Sequence, residues 1–179
     1  MAIISLQACA PLVVGAGVGA GVVMAEDRRT SGTLIEDQVI ERTISNQVAE
    51  AYEDQARVRA ISFNRVVLLV GQVPSESIKE EIGLLALGTE NVRTVQNEIA
   101  IAGTSSFVSR SGDALLTSKV KSRLMSNDDV GANHVKVVTI NDTVYLMGLV
   151  TRAEADAATQ TAATTSGVQR VVKVFEYLD

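Results

Sequence analysis

Apolar and polar positions follow two rhythms along this chain, and the same succession of rhythms occurs twice. From about residue 33, Leu34, Ile35, Val39, Ile40, Ile44 and Val48 recur at helical spacing, with Glu36, Asp37, Glu41 and Glu50 on other faces. This predicts an amphipathic helix. Residues 57–62 and 65–70 read as a hairpin turning about Asn64. Ser75, following Pro74, supplies an N-cap and Glu76 an early acid for a second helix to about residue 87. Residues 92–101 add a third strand. The predicted order is αββαβ.

That order then returns: a helix over 113–125, strands over 134–140 and 143–147, a helix over 152–165 and a strand over 168–177. The copies align position by position. Val66-Val67-Leu68-Leu69-Val70-Gly71-Gln72-Val73 matches Thr143-Val144-Tyr145-Leu146-Met147-Gly148-Leu149-Val150. Val58, Ala60 and Ser62 precede the first stretch at the distances at which Val135, Val137 and Thr139 precede the second. Asp37, Ile40, Ile44 and Val48 match Asp113, Leu116, Val120 and Leu124. Asn91 and Gly167 fall at the same helix-to-strand turn, where a left-handed residue is expected. An internal repeat outranks other fold signals. The expected class is α+β: two tandem units at 33–102 and 112–179, joined by a polar linker over 103–111.

Each unit is small for an independent core. Hydrophobic content of 46% makes burial feasible, and 3% aromatic content makes the cores aliphatic. A net charge of −5 argues against a nucleic-acid binder, whose affinity rests on neutralising phosphates. The charge is uneven: 33–102 holds six Lys/Arg against eleven Asp/Glu, and 112–179 holds seven against eight. The single cysteine, Cys9, and single histidine, His134, exclude a disulfide framework, a thiolate cluster and a multi-histidine metal site. His134 reads as an ordinary strand-edge residue. Asp128-Asp129 beside Asn127 lacks the remaining ligands of a calcium loop. With no paired carboxylates or Ser/His/Asp set, the chain reads as non-enzymatic, without cofactor or metal.

Leu6-Gln7-Ala8-Cys9 resembles a lipobox, so Cys9 is expected to be lipidated. Residues 1–8 are then part of a lipoprotein signal; with no basic residue before Cys9, the rest of the signal is expected upstream. Residues 9–32 form the lipidated cysteine and a Gly/Ala-rich tether. Within it, Gly15, Gly17 and Ala20 imitate a dinucleotide fingerprint, but no βαβ unit surrounds them. The apolar run is also short of the ~20 residues that span a bilayer.

The repeated pattern of helix, strand, apolar strand ending in Gly-x-Val, helix and Gly/Asn-Val-x-x-Val is similar to the BON domain, an αββαβ module of bacterial envelope proteins. Two copies behind a lipobox cysteine resemble the dual BON-domain outer-membrane lipoproteins over nearly the whole chain. The resemblance implies a three-stranded mixed sheet on two helices in each domain. It implies a lipid-anchored protein at the periplasmic face of the outer membrane that binds anionic phospholipid, concentrates at division sites and supports envelope integrity. Ala10 after Cys9 fits outer-membrane sorting in that family.

Taken with that resemblance, the helix over 113–125 is the candidate lipid contact; by themselves its three cations read as an ordinary solvated helix face. Leu116, Val120 and Leu124 are its packing stripe. Leu115 and Lys119 lie on the flank one turn apart, and Lys121 and Arg123 add positive charge. Such a helix can lie against headgroups, whereas Glu36, Asp37 and Glu41 on the first unit's helix would be repelled. The alternative is a periplasmic scaffold whose paired sheets dock an envelope protein, with the basic helix incidental.

Overall fold

The computed structural model describes residues 27–102 and 110–179. The expected signal, Cys9, most of the tether and most of the linker lie outside the described residues. Each unit is a three-stranded sheet with two helices on one face. The first runs α1 (Ser31–Tyr52), β1 (Arg57–Phe63), β2 (Val66–Val73), α2 (Glu76–Leu87) and β3 (Thr94–Ile101). The second runs α3 (Arg110–Met125), β4 (Val135–Ile140), β5 (Thr143–Val150), α4 (Arg152–Ala163) and β6 (Arg170–Tyr177). Both first helices begin before the expected residues, and short 3₁₀ turns at Glu53–Gln55 and Ala132–His134 lead into β1 and β4.

In both sheets the hairpin is antiparallel and the last strand joins the central one in parallel. The hairpins close through Asn64-Arg65 and Asn141-Asp142, all four at positive φ, the conformation two-residue hairpin loops need to match strand twist. The helix-to-strand turns use Asn91 and Gly167 at positive φ. Gly71 and Gly148 recur for a steric reason: a Cβ there would lie 2.0 Å from the Arg57 carbonyl oxygen and 2.3 Å from that of His134.

Among the described residues, three apolar clusters form the core. Val67 and Leu69 of β2 pack under α1 and α2 with Ile40, Ile44 and Ile82. Val144 and Leu146 of β5 pack under α3 and α4 with Val120, Leu124 and Ala158. The alternate residues of the same strands, Leu68, Val70, Tyr145 and Met147, meet Ile61, Phe63 and Val138 in a cluster between the sheets. Each central strand is therefore buried on both faces, which is why it reads as an unbroken apolar run. The layers are helices, sheet, sheet, helices, with α1 and α3 on opposite outer faces.

The sheets stack head to tail. At one end Asn64 Nδ2 donates to Glu176 Oε2 at 2.9 Å, Arg93 pairs with the same carboxylate, and Lys136 Nζ donates to the Ser62 carbonyl at 3.1 Å. At the other end the tip of the second hairpin lies across a cleft from Arg57 and Gln72 at the base of the first.

Candidate functional site

Helix α3 commits Leu116, Val120 and Leu124 to the second unit's interior, where all three are buried. At ~100° per residue the opposite face carries Leu115, Ser118, Ser122 and Met125. Leu115 is 67% and Met125 75% exposed. Lys119 and Lys121 are exposed on the two flanks of this face, ~160° apart across it by the same geometry. Neither lysine has a hydrogen bond or ion pair among the described residues.

Arg123 differs from them. Its guanidinium donates to the Thr161 carbonyl at 3.2 Å, to Thr165 Oγ1 at 2.9 Å and to Thr164 Oγ1 at 3.1 Å. It ties α3 to the end of α4, where a cation satisfies carbonyls and favours the helix dipole. Asn127 Nδ2 adds a bond to Thr161 Oγ1 at 2.9 Å. The structure thus presents Leu115, Lys119 and Lys121 to solvent and engages Arg123 within the fold. Beside them Asn127 Oδ1 accepts the Asp129 N–H at 3.0 Å, and among the described residues no cluster of three potential metal ligands occurs.

On α1, three of the four acids, Glu36, Asp37 and Glu41, are engaged within the fold, and Glu50 is exposed. Asp37 is buried, and it accepts from Ser62 Oγ at 2.6 Å, the Asn64 and Arg65 N–H groups at 2.8 Å, and Arg29 Nη1 at 3.0 Å. Glu36 pairs with Arg65 at 2.6 Å. Glu41 Oε1 accepts from the Ser62 N–H at 2.8 Å and from Lys136 Nζ at 3.0 Å. The acids read as lying on other faces therefore anchor the hairpin and the second unit. The outer face of α1 instead shows Ile35 and Val39, 64% and 56% exposed. Val39 is the repeat counterpart of Leu115. Both helices expose an aliphatic side chain, and α3 adds unpaired lysines.

A cluster the sequence reading did not find joins the N-terminal segment to the second unit. Arg28 binds both Glu154 carboxylate oxygens, at 2.8 and 3.0 Å, and the Leu149 carbonyl at 2.8 Å. Arg29 lies 3.8 Å from the Phe63 ring centre. Glu154 also completes the capping box of α4 with Thr151, and His134 Nδ1 lies 3.1 Å from its Oε1. Burial alone would raise the Glu154 pKa; the bonds from Arg28, Thr151 and His134 outweigh it and bring it down to about 2. The Thr151-x-x-Glu154 spacing announced the cap. No local signal announced Arg28, whose partner is distant in sequence.

Among the described residues no helix is long and apolar enough to cross a membrane. The BON domain profile matches residues 36–103 and again 112–179. Outer membrane lipoprotein DolP of Haemophilus influenzae is 43% identical over 99% of this chain and 93% of its own length. The 21 kDa hemolysin of Actinobacillus pleuropneumoniae is 36% identical over 85% of this chain and 79% of its own. Osmotically-inducible protein Y of Escherichia coli is 32% identical over 78% and 72%.

Proposed function

Because this chain belongs to the BON domain family and carries the domain twice, we propose that it is a non-enzymatic outer-membrane lipoprotein, anchored at the periplasmic face through Cys9. In this reading α3 touches anionic phospholipid, and the protein supports envelope integrity, including at the division site. The location follows the name borne by the Haemophilus influenzae relative, which aligns with nearly all of this chain.

One observation carries the lipid contact: α3 holds an exposed Leu115 and Met125 between two exposed, unpaired lysines. An aliphatic side chain enters the headgroup boundary while flanking cations meet anionic lipid, each contributing roughly 1 kcal/mol near the surface. The lipid on Cys9 would supply one attachment and α3 a second, and two weak signals together make stable anchoring. Flotation with vesicles tests this. The full chain carrying Cys9→Ala should float with phosphatidylglycerol vesicles, stay behind with phosphatidylcholine, and be released by salt. Equal flotation with both lipids would count against a headgroup contact. Fatty-acid labelling should mark the wild type and not Cys9→Ala.

The scaffold alternative has less surface at its disposal, since the sheet faces it would use are packed against each other.

A further inference from the structure

Two helices depart from their repeat counterparts in opposite directions. α3 sets the exposed Leu115 and Met125 between two unpaired lysines. α2 exposes Leu84 and Leu87, 69% and 50%. The N-caps Ser75 and Thr151 align α2 with α4, and the matching positions there hold Gln160 and Ala163. The apolar outer face thus belongs to α2 and not to the repeat. At ~100° per residue Leu84, Leu87 and Glu80 fall within ~60° of one another, and Glu81 borders them. Glu80 is exposed, and its side chain has no hydrogen bond or ion pair among the described residues. Glu81, also exposed, accepts from the Tyr52 hydroxyl at 3.0 Å and the Ser77 hydroxyl at 2.8 Å, neither of which offsets its charge. The one cation of α2, Lys79, pairs with Glu76 at 3.6 Å.

Lipid does not account for these leucines. α2 lies on the outer face of the first unit and α3 on that of the second, with both sheets between them. A membrane under α3 is therefore on the far side of the molecule from α2, and anionic headgroups repel glutamates. Nor does α1 offer the same surface. It exposes Ile35 and Val39, but Glu36 and Glu41 beside them are drawn into the fold. α2 joins exposed leucines to two acids that no cation neutralises among the described residues.

We propose that a second copy of this chain covers them: α3 of one molecule docks on α2 of the next. Lys119 and Lys121 meet Glu80 and Glu81, while Leu115 and Met125 pack beside Leu84 and Leu87. Charge complementarity selects this partner, because α3 presents the same kind of apolar helix face with the opposite sign. Complementary potentials fix which surfaces meet and suppress like-charged pairings. Lying on opposite sides of one chain, the two helices cannot meet within it. The contact is therefore heterologous, running head to tail from copy to copy. Two helix faces bury less than the ~1,600 Å² of a standard interface, so the association is weak. It occupies the face assigned to lipid, so a given α3 serves a neighbour or a membrane, not both. The inference does not rest on the lipid contact, since the two charged faces are present whether or not lipid binds.

Sedimentation velocity on the full chain carrying Cys9→Ala, so that it stays in solution, tests this. The chain should sediment faster as its concentration rises from about 10 μM to about 1 mM, the range of weak contacts. One variant adds Glu80→Lys with Glu81→Lys, so that both docking faces are positive. A second adds Lys119→Glu with Lys121→Glu, so that both are negative. Each alone should stay monomeric, with circular dichroism unchanged. An equimolar mixture of the two should associate again, because every face then finds its opposite. If the first pair of changes disturbs the fold, Glu80→Lys alone, whose side chain has no partner to lose, takes its place. A wild-type chain that stays monomeric at about 1 mM overturns the proposal. So does a folded variant that associates like wild type, or a mixture that stays monomeric. A monomeric wild type whose α2 amides respond to a leucine–lysine helical peptide would assign the face to another protein and equally overturn it. Flotation reads the lipid contact separately, so failure of one reading leaves the other standing.

Discussion

Helices α1 and α3 occupy equivalent places in two copies of one fold, yet they put their charges to opposite uses. α1 directs Glu36, Asp37 and Glu41 inward, to its own hairpin and to Lys136 of the second unit. α3 keeps Lys119 and Lys121 outside. Core positions hold through the repeat: Ile40, Ile44 and Val48 of α1 correspond to Leu116, Val120 and Leu124 of α3, all buried. The polar positions diverged, and function is expected in that divergence. Net charge per unit, the obvious measure in the sequence, describes this badly, because most of the acids on α1 serve structure.

The sharpest way to break the comparison is at the aspartates that open it. Asp37 is buried and takes four hydrogen bonds, whereas Asp113 is half-buried and accepts from two hairpin N–H groups at 3.1 and 3.3 Å. Asp37→Ala strands the Ser62 hydroxyl and the two turn N–H groups, while Arg29 keeps its ion pair with Asp27 at 2.8 Å, and should cost about 3 kcal/mol. Asp113→Ala should cost about 1 kcal/mol. Urea denaturation of the two variants measures the difference, and equal losses would mean that the two turns are held alike.

Within α3, Leu116→Ala should lose about 2–5 kcal/mol as a core truncation, while Leu115→Ala should stay within about 0.5 kcal/mol of wild type. Melting curves separate them. If both variants melt early, Leu115 is a packing residue and the outer face is misassigned.

Glu154 makes a smaller, pH-dependent contribution. Its pKa falls from an ordinary 4.5 to about 2 in the folded protein. The stabilisation is therefore fully present above about pH 4.5 and is lost as pH drops toward 2. Glu154→Gln should flatten the stability profile over that window, by roughly 1–3 kcal/mol. A profile identical to wild type would mean that the cluster with Arg28 and His134 forms no net charge-dependent bond. Smallest of these, Arg123→Met should cost about 1–2 kcal/mol for its bonds to α4, and Lys119→Met nothing measurable. The reverse order would exchange the roles assigned to these two cations.

Much of the fold was legible because the repeat checks itself. Asn64 and Asn141, Asn91 and Gly167, Gly71 and Gly148 each mark a backbone requirement met twice. The stacking of the sheets was not legible. Leu68, Val70, Tyr145 and Met147 sit in runs that announce burial on both faces without saying what covers the second face. The α3 cations were equally opaque in sequence: Lys119 and Arg123 share a helix, and only the position of the last turn of α4 decides that Arg123 is engaged.

The claim that α3 faces the membrane is tested most directly by reversing the charges that the fold does not use. Lys119→Glu with Lys121→Glu should leave circular dichroism and melting at wild-type values, since neither lysine has a partner among the described residues. At roughly 1 kcal/mol per surface charge, turning two cations into two anions should remove flotation of the Cys9→Ala chain with phosphatidylglycerol vesicles. Reversing Glu36 and Glu41 to lysine should not increase it. A folded double-glutamate variant that floats like wild type would contradict the assignment of α3 to the membrane.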